Sequence, residues 1–237
     1  MFSFIKSSTG RGFIYGLKFQ NRISPTMTQT IKFHDQNIFI LIIIACLVGG
    51  RILMLWTKTF SSLEFIDSKI LEFGWTMLPV IILVRLAMPS LELLYYLEWP
   101  HKRDVKVEIK ATGMQWYWHY KVTLLTTGET FEFDSYMING EEDKRGFRLL
   151  EVDAPIMAPH GMIIDLKVTG GDVIHRFAIP TLGIKMDGVP GRLKKGKFLA
   201  QKIGRYYGQC SEICGANHRF MPINMEVMPF ENFLKFF

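Results

Sequence analysis

Four metal-binding side chains lie within twelve residues near the C-terminal end of the sequence, and a glutamate stands among them. Cys210 and Cys214 supply thiols, His218 supplies an imidazole, Met221 supplies a thioether, and Glu212 separates the two cysteines. Thiolates and thioethers are soft ligands that favour Cu(I) and Zn²⁺, and imidazole suits both metals. The spacing therefore predicts a metal site built largely from one loop.

His175 predicts a further ligand from another part of the fold. It lies in residues 173–179, whose pattern indicates a strand. In a β-sandwich, a histidine on a strand can meet a metal-binding loop, and we expect this histidine to join the cysteines. Two cysteines on one loop can also bridge two metal ions, which gives each ion both thiolates and one imidazole. A bridged copper pair shares one electron between its ions, and this suits rapid electron transfer.

Two simpler arrangements of the same residues stay open. The two cysteines and the two histidines together form the ligand set of a tetrahedral zinc site. The two cysteines can instead form a disulfide. Met221 favours copper, because a thioether is a poor zinc ligand but a common weak axial ligand of copper.

The second half of the chain predicts the all-β domain that would position these ligands. Residues 105–110 alternate apolar and polar side chains, as a half-buried strand does. Similar segments are residues 130–137, 148–152, 162–168, 173–179, 205–209 and 222–227. Turn signals separate them, including Asn139-Gly140 and Pro190-Gly191. Many short strands between turns indicate a β-sandwich or barrel, and the apolar residues 230–237 predict a final helical turn docked on it.

Two apolar segments precede the β domain and predict a transmembrane helical hairpin. Residues 37–56 and 73–96 are each long enough to cross the bilayer core as a helix. Aromatic residues stand near the ends of the second segment, as expected at membrane interfaces. Arg85 lies in the middle of that segment, where a charge costs about 2.5–3.5 kcal/mol on insertion scales. We therefore expect Arg85 to face a protein partner or a polar cavity.

The first 34 residues contain five basic residues and no acidic one, with several Ser and Thr. This composition is typical of a mitochondrial targeting segment, although we expect it to be retained as an N-terminal arm. The net charge of +6 does not predict nucleic-acid binding, because no basic stripe alternates with stacking aromatics. The predicted domains are thus a basic arm (1–34), a helical hairpin (35–100) and a metal-binding β domain (101–237).

The chain resembles subunit II of cytochrome c oxidase, the copper A subunit of haem–copper oxidases, in its mitochondrial form. The matching motifs are GMQWYW (113–118), FDSYMI (133–138), LLEVD (149–153), DVIH (172–175), PGR (190–192), YYGQCSEICG (206–215), NH (217–218) and FMP (220–222), with WTMLP (75–79) and PSL (89–91) in the membrane segments. The resemblance implies a cupredoxin-like Greek-key sandwich or barrel behind the hairpin. It implies a non-autonomous subunit of an oxidoreductase that accepts electrons from reduced cytochrome c and passes them to a haem-containing catalytic subunit for oxygen reduction coupled to proton pumping.

The resemblance also assigns roles to individual residues. The residues that it implies as copper A ligands are His175, Cys210, Cys214, His218, Met221 and, through its backbone carbonyl, Glu212. The Glu212 carboxylate is expected to reach a magnesium ion shared with the catalytic subunit. Trp116 is expected to receive the electron from cytochrome c, and Glu72 is expected to stand at the mouth of a proton pathway.

The docking surface for cytochrome c is expected to include the acidic residues Asp153, Asp172, Glu132 and Asp134. Lys121 stands where the family usually has an acidic docking residue, so docking electrostatics are expected to be weakened or redistributed. The resemblance places the chain in the mitochondrial inner membrane with other oxidase subunits, with the copper domain and both termini in the intermembrane space. The basic arm alone would predict the opposite orientation. A membrane-tethered structural zinc domain and a copper-storage or copper-delivery module remain as rival functions.

Overall fold

The structure is a computed structural model, and it describes residues 19–57, 67–98, 105–138 and 147–237. The described residues form two compact units. One unit contains residues 19–28, 105–138 and 147–237, and the other contains residues 29–57 and 67–98. The predicted division into arm, hairpin and β domain stays a prediction.

Two long helices account for the predicted hairpin segments. Helix α1 covers Pro25–Thr57 and helix α2 covers Lys69–Glu98, and both are long and apolar enough to cross a membrane. Helix α1 begins within the segment predicted as the arm. Pro25 suits the first helical position, and the Ser24 hydroxyl accepts a hydrogen bond from the Met27 amide at 3.0 Å. Arg85 is exposed on α2, and no described residue pairs with it.

The described residues of the β domain form ten strands in three sheets. The strands are β1 (Val107–Met114), β2 (Tyr117–Leu124), β3 (Thr130–Ser135), β4 (Ile156–Pro159), β5 (Ile163–Gly170), β6 (His175–Ile179), β7 (Ile184–Gly188), β8 (Lys194–Leu199), β9 (Gly204–Gln209) and β10 (Pro222–Met228). One sheet has the order β3-β2-β1-β5-β8, the second has the order β4-β10-β9, and β6 and β7 form a hairpin. Strand β1 pairs with β5 in parallel, and β10 pairs with β4 in parallel.

One apolar core holds the three sheets together. It includes Ile109 from the first sheet, Met225 from the second and Phe177 from the β6–β7 hairpin, all fully buried. Ile23 joins this core from the segment before α1, and its amide donates to the Thr181 carbonyl at 3.1 Å. The short helix α3 (Phe230–Phe233) buries Phe233 against the same core, as predicted for the final turn.

The strand predictions differ from the structure in two ways: one predicted strand is absent from the described residues, and four observed strands were not predicted. The prediction of a strand at residues 148–152 is wrong, because this segment forms a turn with a single bridge from Val152 to Met137. Leu149 has a φ of 64°, which an extended strand cannot accommodate. Strands β2, β4, β7 and β8 were not predicted. Strand β8 is the edge of its sheet and is rich in exposed lysines, so it lacks the apolar alternation that identifies a buried strand.

Candidate metal centre

The cysteine loop connects β9 to β10 at one end of the β domain. Cys210 directly follows β9, and Cys214 stands four residues later; both are free thiols and both are buried. His218 begins a short 3₁₀ turn, and Met221 directly precedes β10 and is buried. His175 is the first residue of β6 and is fully buried. The fold therefore brings the strand-borne histidine to the loop, as the sequence predicts.

The ligand atoms of these residues converge. Those of His175, Cys210 and Cys214 all lie within 4.8 Å of one another. Each thiol has an imidazole close by: His175 Nδ1 lies 3.9 Å from Cys210 Sγ, and His218 Nδ1 lies 3.6 Å from Cys214 Sγ. Met221 Sδ lies 3.5 Å from Cys214 Sγ. This donor set is larger than one tetrahedral ion needs.

Glu212 contributes to the cluster through its backbone. Its carbonyl oxygen lies 3.4 Å from Cys210 Sγ and accepts the weak hydrogen bond of that thiol. The same carbonyl would face a metal ion held by the thiolate. The role predicted for this carbonyl is thus compatible with the local geometry.

Asp172 fixes the orientation of the His175 ring. A carboxylate oxygen of Asp172 lies 2.8 Å from His175 Nε2, so Nδ1 is the nitrogen directed at Cys210. The Asp172 carboxylate is itself held by the backbone amides of Gln115 and Val173, each at 2.6 Å. Partial burial raises the pKa of Asp172, but the hydrogen bonds from His175 and the two amides outweigh it and lower the pKa. Partners of this kind set the orientation and basicity of ligating histidines.

The two thiols differ in acidity. Burial raises the pKa of Cys210, but hydrogen bonds from His175 and from backbone amides outweigh burial and bring the pKa to about 7. Burial and the neighbouring Cys210 charge raise the pKa of Cys214 to about 12.

Residues outside the ligand set hold this geometry, and two of them were not singled out from the sequence. Trp118 is fully buried, its ring centroid lies 6.0 Å from that of His175, and its indole N–H donates to the Met221 carbonyl at 3.4 Å. Gly113 lies so close to His175 that a Cβ atom there would stand 2.6 Å from the imidazole Cγ. Both residues belong to the GMQWYW motif, and the glycine in that motif was the sequence feature that could have indicated a close contact.

Trp116 lies directly against the cysteine loop. A Cβ atom on Gly215 would stand 3.0 Å from Cζ2 of the Trp116 ring, so only a glycine permits this contact. The adjacent Gln115 side chain donates to the Cys214 carbonyl at 2.7 Å. The indole is partly buried, and its N–H has no hydrogen-bond partner among the described residues. Trp116 therefore bridges the domain surface and the loop that carries the thiols.

All four predicted docking acids have partners within the chain. Lys121 donates to Glu132 at 2.6 Å, and the hydrogen bond and charge of Lys121 lower the pKa of Glu132. His119 Nδ1 lies 2.7 Å from Asp134. Asp153 accepts hydrogen bonds from two backbone amides, and Asp172 is engaged as described above. Among these acids Glu132 is the one paired with a lysine, and that lysine is the residue noted as a departure from the family.

The Glu212 carboxylate is paired with an arginine that the sequence did not single out. Arg176 Nη2 lies 2.9 Å from Glu212 Oε2, and Arg176 Nε donates to Asp187. Glu72 belongs to the other unit, in the first turn of α2, where its carboxylate lies 3.5 Å from Lys69 Nζ.

Two helices long and apolar enough to cross a membrane, followed by a cupredoxin-like β domain with a cluster of thiols, imidazoles and a thioether, define a protein with candidate membrane spans and a candidate site for a soft metal ion. The comparisons specify the class further. The family model for the periplasmic domain of cytochrome c oxidase subunit II matches residues 107–228, and the model for the transmembrane domain of the same subunit matches residues 12–93. The chain belongs to the cytochrome c oxidase subunit II family, and is thus an oxidoreductase subunit of a haem–copper oxidase.

Individual relatives agree with this assignment. Cytochrome c oxidase subunit 2 of Drosophila subobscura is 45% identical over 220 residues, which cover 92% of this chain and 94% of that protein. The Drosophila yakuba protein is 44% identical over the same coverage. The crystal structure of the periplasmic domain of subunit II of cytochrome oxidase from Bradyrhizobium japonicum is similar with a TM-score of 0.50 and 45% identity, covering 56% of this chain and 92% of that one.

Proposed function

We propose that this subunit accepts electrons from reduced cytochrome c at a dinuclear copper centre and passes them to the haem-containing catalytic subunit, where oxygen is reduced and protons are pumped. The observation that carries this proposal is the meeting of His175 with both loop thiols, each of which has its own imidazole. Such a set provides two thiols and two imidazoles, a donor set that would suit a copper pair.

The ligand roles follow from the donor atoms. Cys210, Cys214, His175 and His218 would hold the copper pair. The Met221 thioether and the Glu212 carbonyl would complete the coordination as weak ligands. When bound, the copper pair supplies a one-electron redox site. The chain supplies ligands from a strand, a loop and a turn, and the strand and both cysteines pack in one core.

Electron transfer to this site requires a donor that docks at the domain surface. Trp116 would receive the electron, since its ring contacts the ligand loop at Gly215. The acidic residues Asp153, Asp172, Glu132 and Asp134 would attract a basic cytochrome c. Charged rims mainly set the association rate, and the Lys121–Glu132 pair reduces the charge available to this surface.

The family and the two apolar helices support a membrane location. The two helices would lie in the lipid bilayer of the mitochondrial inner membrane, with the copper domain and both termini in the intermembrane space, and would contact other oxidase subunits. The division into arm (1–34), hairpin (35–100) and copper domain (101–237) is part of this proposal. Glu72 would stand at the mouth of a proton pathway, next to Lys69.

The residues of this chain do not fit a magnesium ion at Glu212. Magnesium needs oxygen ligands in near-octahedral geometry, whereas the Glu212 carboxylate is already paired with the Arg176 guanidinium. A second cation beside that guanidinium would be repelled. No step of the proposed function therefore passes through magnesium.

Metal analysis with absorption spectroscopy on the purified oxidase tests the function. Two coppers per copy of this subunit, with a purple colour and near-infrared absorption, would support it. One colourless zinc per chain would instead indicate a structural zinc domain. Copper that transfers readily from the chain to an acceptor protein would indicate a delivery module.

A further inference from the structure

Arg176 holds the cysteine loop at two points. It follows His175 on β6, and its backbone carbonyl accepts a hydrogen bond from the Ser211 amide at 2.9 Å. Its guanidinium pairs with Glu212 at 2.9 Å. One residue of the β6–β7 hairpin therefore anchors both Ser211 and Glu212, the two residues that follow Cys210.

The hairpin in turn fixes Arg176. Its Nε donates to Asp187, which lies opposite Arg176 in the register of β6 and β7. The hydrogen bond to Arg176 lowers the pKa of Asp187, so this carboxylate stays charged. The three side chains are each about one third to two fifths exposed. A guanidinium is planar and permanently charged, so it can hold both carboxylates at once in a fixed geometry.

Glu212 links the ion pairs of Arg176 to the metal site, because its carboxylate and its backbone carbonyl have different partners. The Glu212 carbonyl lies 3.4 Å from Cys210 Sγ, while the Glu212 carboxylate is held by Arg176. Without the Arg176–Glu212 pair, the contact with β6 that remains for residues 211–213, among the hydrogen bonds and ion pairs of the described residues, is the Ser211 amide bond. The side-chain pair therefore limits rotation of the Glu212 peptide, which sets the direction of the carbonyl.

We propose that Arg176 is a positioning residue for the copper pair that acts through Glu212. It occupies the position between the Glu212 and Asp187 carboxylates in place of a metal cation, and holds the Glu212 carbonyl towards the site. It also places a fixed positive charge next to the cysteine loop. This inference rests on the proposed function, because it concerns the same copper site.

The test uses the purified oxidase carrying Arg176→Gln, with two readouts that do not depend on turnover. The first is copper retention against a chelator, which should fall by about 10–100-fold, as for other residues that orient metal ligands. The second is the reduction potential of the copper pair, which should fall, because a lost positive charge favours the oxidised form. Arg176→Lys keeps the charge but not the planar geometry, so the potential should stay near the wild-type value while copper retention falls.

Two further variants decide whether the effect passes through Glu212. Glu212→Gln keeps the backbone carbonyl and removes the carboxylate, so adding Arg176→Gln to it should cause no further loss of copper. Lys194→Gln is the matched control, since Lys194 Nζ lies 3.8 Å from the other oxygen of Asp187 and, among the ion pairs of the described residues, Lys194 is not paired with Glu212. This control should retain copper as the wild type does.

The inference is overturned if Arg176→Gln keeps wild-type copper retention and potential, or if it has an equal effect in the Glu212→Gln background. An effect of Lys194→Gln as large as that of Arg176→Gln would also overturn it, since general surface charge would then be the cause. A wild-type oxidase that lacks the copper pair would overturn the proposed function itself, before any variant is compared.

Discussion

Gly113 is the position at which a single methyl group should damage the copper site most directly. A Cβ atom there would stand 2.6 Å from His175 Cγ and 2.7 Å from its Cβ and Cδ2. Carbon atoms in favourable contact are separated by about 3.5–4.0 Å, so Gly113→Ala requires the imidazole to retreat by roughly 0.9 Å. The strand cannot move instead, because Gly113 is paired with Trp118 on one side and Gly170 on the other.

The size of the effect follows from the tolerance of metal sites. Ligand distances in such sites are defined to about 0.2 Å, which is several times less than the required shift. Copper affinity should therefore fall by at least about 10–100-fold. Overpacking of this kind also destabilises a fold by about 1–3 kcal/mol. We expect a protein that still folds but binds copper poorly.

Copper titration against a competing chelator, with near-infrared absorption, measures the affinity, and thermal unfolding measures the stability. Gly196→Ala is the matched control, because Gly196 lies on β8 of the same sheet and a Cβ atom there would meet the flexible Met186 thioether at 2.9 Å. The control should bind copper normally. Normal affinity and an unshifted spectrum in Gly113→Ala would refute the conclusion that this glycine makes room for the ligating histidine.

Four further predictions concern other parts of the β domain. Met221→Leu should keep the fold but change the reduction potential of the copper pair and slow electron transfer, because a weak axial ligand tunes the ion more than it holds it; potentiometry and turnover measure this. Trp116→Ala should slow electron transfer from cytochrome c far more than it lowers copper content, as measured by stopped-flow kinetics and metal analysis. Tyr207→Phe removes a 2.7 Å hydrogen bond to the buried Glu151 carboxylate and should lower the unfolding free energy by about 1.5–3 kcal/mol in a denaturation experiment. Asp187→Asn should be less stable than the wild type at neutral pH but equal to it in strong acid. The folded state lowers the pKa of Asp187, so this carboxylate stabilises the fold above its unfolded-state pKa, and the stabilisation is lost as the pH falls through the folded-state pKa.

Each of these predictions has a contradicting outcome. An unchanged potential in Met221→Leu would exclude the thioether as a ligand. Equal losses of copper and transfer rate in Trp116→Ala would mean that the indole serves only to pack the core. A Tyr207→Phe protein of wild-type stability would mean that Glu151 is satisfied without the tyrosine. If Asp187→Asn is still less stable than the wild type in strong acid, the charge of Asp187 is not the cause of the stability difference.

The sequence by itself determined which loop residues could bind a metal ion and which segments could cross a membrane. The ligands from Cys210 to Met221 lie in one short loop, so their spacing along the chain nearly fixes their proximity in space. The two spans are also local properties, because a helix that crosses a bilayer is defined by its own length and apolar composition. The prediction that His175 joins the loop residues required its strand to lie beside the loop. In the fold, His175 is the first residue of β6 and lies next to both cysteines.

Only the tertiary structure decided how the site is held and how its charges are used. Gly113, Trp118 and Arg176 act on the ligands across contacts between β1, β2, β6 and the cysteine loop, which no local pattern encodes. In the same way, the fold placed a guanidinium against the Glu212 carboxylate, a partner that the sequence did not predict. The physical reason is common to these cases: residue type limits what a side chain can bind, whereas its actual partner depends on which distant segments the core brings together.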